Sequence, residues 1–297
     1  GTGGSSITTP SNVGYFPDVR DNSGGSGRGF VFDVNFGQRP FAYTPPTGFK
    51  SLHTGNLPDS AIVDGSQYFA ATTWTSAGGT ETISNTVNGV SFQPDFLWMK
   101  NRSIAQNHYL VDSNRGTSKI LVSNTTSAEV TEATFVTSLN SDGFSLGAGG
   151  FTAGQAIVGW QWKANGAGVS NTDGSITSTV SANPTAGFSI VSYTGTGSAA
   201  TVGHGLGVAP KVIIVKDRVS TGEWYVYTEA TGPSIKLNLH LTAGSTSTGA
   251  WANTSPTSSV FTQAFGTNAQ IAYCFADVEG YSKFGSYTRN GSTDGTF

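Results

Sequence analysis

Apolar residues in this chain gather in short runs, four to eight residues long, and almost every run ends at Gly, Pro, Asn, Asp or Ser. Stretches 68–75, 95–100, 108–112, 119–123, 134–139, 143–146 and 156–163 read as strands, and so do 188–194, 211–216, 224–228, 235–241, 258–264 and 270–276. Some alternate apolar with polar residues and others are solidly apolar, the two patterns expected of half-buried and fully buried strands. No window of twelve or more residues places apolar side chains at i, i+3, i+4 and i+7, and the most helix-tolerant stretch, 127–139, is rich in Thr and Val. The pattern predicts an all-β chain.

The runs also repeat. Gly89-Val-Ser-Phe-Gln-Pro94-Asp-Phe-Leu-Trp-Met-Lys100-Asn-Arg102 recurs as Gly205-Leu-Gly-Val-Ala-Pro210-Lys-Val-Ile-Ile-Val-Lys216-Asp-Arg218, and Tyr109 recurs as Tyr225, always 116 residues on. Weaker matches join Phe69 to Phe188, Trp74 to Tyr193, Trp160 to Tyr273 and Trp162 to Phe275. A constant offset through several anchors marks two copies of one supersecondary unit. Six or seven short strands in about 95 residues, punctuated by turns, predict an antiparallel β-sandwich of jelly-roll-like type for each copy.

The expected organisation is therefore a β segment at 1–58, a first sandwich at 66–163, a second at 188–280, and a further repeat or docking strand beginning at 281–297. Between the sandwiches, 164–187 is mostly Gly, Ser, Thr, Asn and Asp and reads as a linker, with a strand at 175–181 that docks on a neighbour. Met99 is the sole methionine, so Gly1 is not a translation start and the chain is expected to be a part or a processed product of a longer polypeptide.

Composition sharpens the picture. Of 297 residues only 11% are charged and 40 are Gly, which suits many strands joined by tight turns. A net charge of −3 without a basic cluster offers no electrostatic footprint for nucleic acid. No apolar run approaches the roughly 20 residues that span a bilayer as a helix, so no membrane insertion is expected. Cys274, the one cysteine, lies in an apolar strand and reads as a buried, inert thiol.

The early phrases Tyr15-Phe16-Pro17, Val34-Asn35-Phe36-Gly37, Pro40-Phe41, Pro45-Pro46 and Gly48-Phe49 resemble the final strands of a SPRY domain, a β-sandwich interaction module. The whole arrangement resembles the tandem modules of bacteriophage tail fibres and other virion appendages, marine phages above all. That resemblance is carried by 36–49, by Val202-Gly203-His204-Gly205-Leu206-Gly207-Val208-Ala209-Pro210-Lys211 and by Asp277-Val278-Glu279-Gly280-Tyr281-Ser282-Lys283-Phe284. It implies a virion location and, as partners, other virion proteins, further copies of the chain in a trimeric fibre, and a host-surface glycan. It supplies no catalytic motif. A capsid-decorating or head-fibre protein, and a secreted carbohydrate-binding module, remain alternatives.

Residues that could carry chemistry are few. Gly143-Phe-Ser145-Leu-Gly147 spells a hydrolase nucleophile elbow, yet a Gly-rich turn follows where the elbow needs a helix. The Asp-Gly pairs at 64, 142, 173 and 294 lack the alternating carboxylates of a calcium loop and read as turns. Gly203-His204-Gly205 precedes a strand, so no phosphate cradle is expected. Neither a cofactor, a metal nor a catalytic residue is predicted. Trp160 and Trp162 share a strand face and, with Trp98, are expected in the core. For contact with a glycan or partner the candidates are Trp251, in a polar loop without a visible counterpart in the first copy, together with Trp74 and His204.

Overall fold

The computed structural model describes residues 60–242, 246–247 and 249–287, with residue 47; the SPRY-like stretch and residues 288–297 lie outside the described residues. The chain divides into Gly1–Pro58 and a compact unit, Asp59–Phe297, that holds both repeats.

The first repeat contributes β1 (Phe69–Thr75), β2 (Glu81–Ser84), β3 (Phe96–Asn101), β4 (His108–Asp112), β5 (Lys119–Val122), β6 (Val130–Thr131), β7 (Val136–Asn140), β8 (Gly143–Leu146) and β9 (Ala156–Trp162). The second supplies β12 (Phe188–Thr194), β13 (Ala200–Gly203), β14 (Val212–Asp217), β15 (Trp224–Thr228), β16 (Ile235–Asn238), β17 (Thr246–Ser247), β18 (Val260–Gln263) and β19 (Ala269–Phe275). Between them lie β10 (Val169–Asn171) and β11 (Ser178–Asn183). All ladders between these strands are antiparallel.

The large sheets run β1-β9-β3-β4-β5-β6 and β10-β11-β12-β19-β14-β15-β16-β17. Stripped of β10 and β11, the second order is the first strand for strand. Each large sheet carries a small one, β2-β8-β7 or β13-β18, on its outer face. One core, with Leu97, Met99, Val111 and Ile157, fills the first sandwich, and another, with Ile213, Val215, Tyr227 and Ala272, fills the second. Because Leu97 and Ile213, or Met99 and Val215, hold the same place in the two copies and face the same core, the sequence offset is a true structural register.

Local chemistry is repeated too. Asn101 Oδ1 accepts from the backbone N–H groups of Ser103 and Ile104, and Asp217 Oδ1 accepts from those of Val219 and Ser220. Beside them Lys100 Nζ donates to Gln106 O at 2.6 Å, and Lys216 Nζ to Asp217 O at 2.7 Å. The Lys-Asn/Asp-Arg signature thus shapes a loop: an Asx-type turn with an ammonium group satisfying its carbonyls.

The connection between repeats is more than a linker. Its strand falls at 178–183, later than the sequence suggests, and pairs with β12 from Thr179↔Ser192 to Asn183↔Phe188. At the other end, residues 281–287 form no strand; a bridge between Val278 and Ser282 makes a turn there instead. The expected opening strand of a third repeat is therefore absent from the described residues.

The two sandwiches stack back to back. Phe96, Leu110 and Leu121 of the first meet Phe188, Ile190, Ile214, Trp224, Val226, Ile271 and Tyr273 of the second in a third core. The result is four β layers in the order small, large, large, small.

Candidate functional site

The seam between the large sheets is held by an ionic knot. Arg115, in the turn after β4, has no exposed side-chain surface, and neither has Asp112, whose Oδ2 lies 2.6 Å from Arg115 Nε. Arg115 Nη1 reaches Glu129 Oε2 at 3.1 Å and Lys119 O at 3.2 Å, while Nη2 reaches Leu110 O at 3.1 Å and Tyr273 Oη at 3.2 Å. Tyr273 in turn donates to Asp112 Oδ2 at 2.7 Å. Glu129 also receives Arg218, Nε to Oε2 at 2.9 Å and Nη2 to Oε1 at 3.0 Å. All five guanidinium protons of Arg115 find acceptors, which makes the burial of its charge tolerable.

Burial pushes against the charge of Arg115, but Asp112, Tyr273 and Glu129 outweigh it and raise its pKa. Burial likewise pushes Glu129 up, and the two arginines overcome that and hold it low. Around the knot, Trp224 Nε1 donates to Val122 O and Thr125 O, and Asn114 Nδ2 donates to Thr179 O and Ile190 O. Phe96 stacks on Tyr273 with ring centres 4.2 Å apart.

Stacking leaves part of one sheet face open. In the second repeat the inward positions Ile190, Tyr273, Ile214, Ile271 and Trp224 are all buried. Their counterparts in the first repeat are Ala71, Trp160, Trp98, Val158 and His108, and of these Ala71 is exposed and the others half-buried. Trp160 lies between Ala71 and Trp98 as cross-strand partner of both, with Thr73, Val158, Lys100 and His108 forming the next row. Trp98 Nε1 donates to His108 Nδ1 at 3.3 Å, which fixes the indole plane. Burial and the neighbouring Lys100 lower the His108 pKa, which favours the neutral ring, and because Nδ1 accepts from Trp98 that ring holds its proton on Nε2. An indole pair flanked by a neutral imidazole, a threonine and the Lys100 ammonium presents flat apolar area beside hydrogen-bonding groups, the combination that pyranose rings require. The sequence places both tryptophans in the core; Trp98 does pack against the seam core while remaining half-buried, and Trp160 is half-buried beside it. Only the incomplete overlap of two sheets leaves them accessible.

The three residues singled out from sequence are not brought together. Trp251 is 1% exposed and packs against Tyr227 and Phe265 at ring distances of 5.8 Å. It lies 116 residues after Phe135, which packs against Tyr109 and Phe151, and in the second copy Phe265 touches both Tyr225 and Trp251, so the two aromatic clusters correspond. The loop residue thus does have a counterpart, and its indole is core rather than contact surface. Trp74 is half-buried at the edge of the first core against Phe144 and Phe151. His204 is fully buried; its Nδ1 accepts from Leu206 N–H, so Nε2 donates to Thr257 O at 3.2 Å, and burial lowers its pKa.

Other candidates are also structural. Ser145 lies in mid-strand, its Oγ bonded to Thr82 Oγ1 and Asn140 Nδ2. Gly143, with φ of 150°, has Ile83 O where a Cβ would sit, at 1.9 Å, so the glycine of the elbow-like phrase serves close strand pairing. Burial pushes the Cys274 thiol up to about 12. No group of three or more His, Cys, Asp or Glu side chains suited to a metal occurs among the described residues. Among the same residues no helix is long and apolar enough to cross a membrane.

Residues 64–297 match a family described as a domain of unknown function, DUF7483, and the chain belongs to that family. Comparison with curated proteins gave no match, and neither did comparison with solved structures.

Proposed function

We propose that this chain is a non-enzymatic structural part of a phage virion, an appendage segment of the tail-fibre kind that serves as a stiff spacer and assembly surface and touches host glycan through the Trp98–Trp160 face. The observation that carries the reading is the seam: Arg115 with Asp112, Glu129 and Tyr273 turns two repeats into one body, which a spacer needs and a hinged enzyme does not. Agreeing with it, Ser145, His204 and Cys274 are each engaged in strand pairing, loop closure or core packing. The setting in a virion rests on the resemblance of the tandem phrases. Few charges mean that contacts depend on shape, backbone bonds and ring area, and hence vary little with salt.

The test is imaging of the intact source particle with this chain placed in density, combined with a neutral-glycan array probed by the purified chain. Density in an external appendage, with glycan signal lost in Trp98→Ala and Trp160→Ala, is the expected result. Absence from the particle, or turnover of an ester or glycan by the pure chain, overturns it.

A further inference from the structure

Among the described residues most edges of the larger sheets are short or guarded. The edge strands β6 and β17 have two residues each, and β10 has three. Charged Glu129 and Glu132 flank β6, β2 opens on Glu81, and β7 carries a bulge between Val136 and Ser138. Short length, charge and bulges are the usual means of keeping an edge from pairing. By contrast β1, Phe69-Ala-Ala-Thr-Thr-Trp-Thr75, has seven residues in regular pairing with β9 and contains neither charge, proline nor bulge.

Its outer backbone groups can be identified. Tyr68 O accepts from Lys163 N–H at 2.9 Å and Ser76 N–H donates to Gln155 O at 2.8 Å, both on the β9 side. With a period of two, the groups of Phe69, Ala71, Thr73 and Thr75 point outward. Among the described residues none of these four is hydrogen-bonded on that side. In the second repeat the equivalent groups of Phe188, Ile190 and Ser192 are covered by β11, through Asn183, Ser181 and Thr179. Residues 60–64, which hold the place of β11 in the first repeat, form no strand.

The geometry points to β1 as a homotypic assembly edge that pairs antiparallel with β1 of a second copy about a twofold axis at Thr72. In that register Ala71 meets Thr73 of the partner and Phe69 meets Thr75, so every outward residue falls in a hydrogen-bonded pair, about eight bonds in all. Ala70 falls opposite Trp74, small against large, and aromatic or Ala side chains meet Thr with no like charges opposed. A second copy is the occupant because the strand is complementary to itself in size, polarity and backbone register. A twofold contact of this kind differs from the threefold of a trimeric fibre, and the two give different particle masses in solution. The inference deepens the assembly role proposed above.

Sedimentation of the full chain across a range of concentrations, with two kinds of variant, tests it. Thr73→Pro removes an outward N–H while leaving the ladder to β9, which runs through the even-numbered residues. It is expected to weaken dimerisation at least about tenfold with an unchanged circular dichroism spectrum. Thr72→Cys places two thiols at the twofold axis, where facing Cα atoms lie about 4.5 Å apart, close enough for a disulfide. Oxidation should give a covalent dimer from Thr72→Cys and none from Ala71→Cys, with the native Cys274 too deeply buried to interfere. A chain that stays monomeric and does not cross-link through Thr72→Cys, one that forms trimers, or a dimer unaffected by Thr73→Pro each overturns the pairing. If Thr73→Pro does not fold, the two cysteine variants alone decide. Failure here leaves the virion role to be judged by imaging, so the two can fall separately.

Discussion

Arg115 and Tyr273 meet across the seam, Nη2 to Oη at 3.2 Å, although 158 positions separate them in sequence. Tyr273 also donates to Asp112, so a single phenol ties a buried ion pair of the first repeat to the central strand of the second. Removing one member of such a group strands the remaining charge without a partner. Arg115→Ala is therefore expected to cost about 3–5 kcal/mol, against about 1.5–3 kcal/mol for Tyr273→Phe, which removes one bond to each of two buried charges but leaves the ion pair itself in place. Urea unfolding of both variants measures the difference. Equal and small losses would show that the knot is solvated and that the apolar seam alone holds the repeats together.

The knot also sets an acid limit. The folded-state pKa of Glu129 is lowered by Arg115 and Arg218, so its contribution to stability is fully present above the unfolded glutamate value and is lost as pH falls through the lowered folded value. Burial raises Asp95, whose contribution has the opposite sign and is relieved by acid. A Glu129→Gln comparison separates them. The stability gap between the native chain and Glu129→Gln should be constant from pH 7 down to about 5 and close below it. A gap that widens in acid contradicts the assigned sign.

The central strands were legible because their pattern is local. Runs such as 211–216 are apolar enough to be strands wherever they pack, and the constant offset assigned them in pairs. Strands β2, β10, β11 and β13 were harder, because Glu81-Thr-Ile-Ser84 or Val169-Ser-Asn171 contains too little apolar area to stand out and is held by its partner's ladder. The seam was invisible for a different reason. Arg115 lies where the second repeat has Thr231, so repetition gave no hint of it, and besides its neighbour Asp112 it is held by Glu129 from beyond β5 and by Tyr273 from the other repeat. The half-open Trp98–Trp160 face was equally hidden, since it depends on how far one sheet overlaps the other.

Ser145 tests the absence of hydrolytic chemistry. Its hydroxyl bonds Thr82 and Asn140 on an outer sheet face, and each of these bonds is worth about 1 kcal/mol or less in water. Ser145→Ala should shift the unfolding midpoint slightly and change no activity of the purified chain. An esterase or glycosidase signal that disappears with this substitution would make the elbow-like phrase a working one.

Trp251 offers the sharpest test of the repeat register. As twin of Phe135 it fills the same place in its sandwich, closing a triad with Tyr225 and Phe265. Its Nε1 makes no hydrogen bond, so the pyrrole half of the indole contributes area alone. Phenylalanine, the residue of the first copy, should then be accepted. Trp251→Ala is expected to cost about 3–5 kcal/mol, as a large aromatic lost from a closed core, and Trp251→Phe well under half of that. If the side chain were instead a contact placed on the surface, both substitutions would leave stability unchanged and abolish ligand binding. Unfolding curves for the two variants, set beside Phe135→Ala in the other sandwich, distinguish these outcomes, because Phe135→Ala and Trp251→Ala should destabilise alike only if the two loops are equivalent.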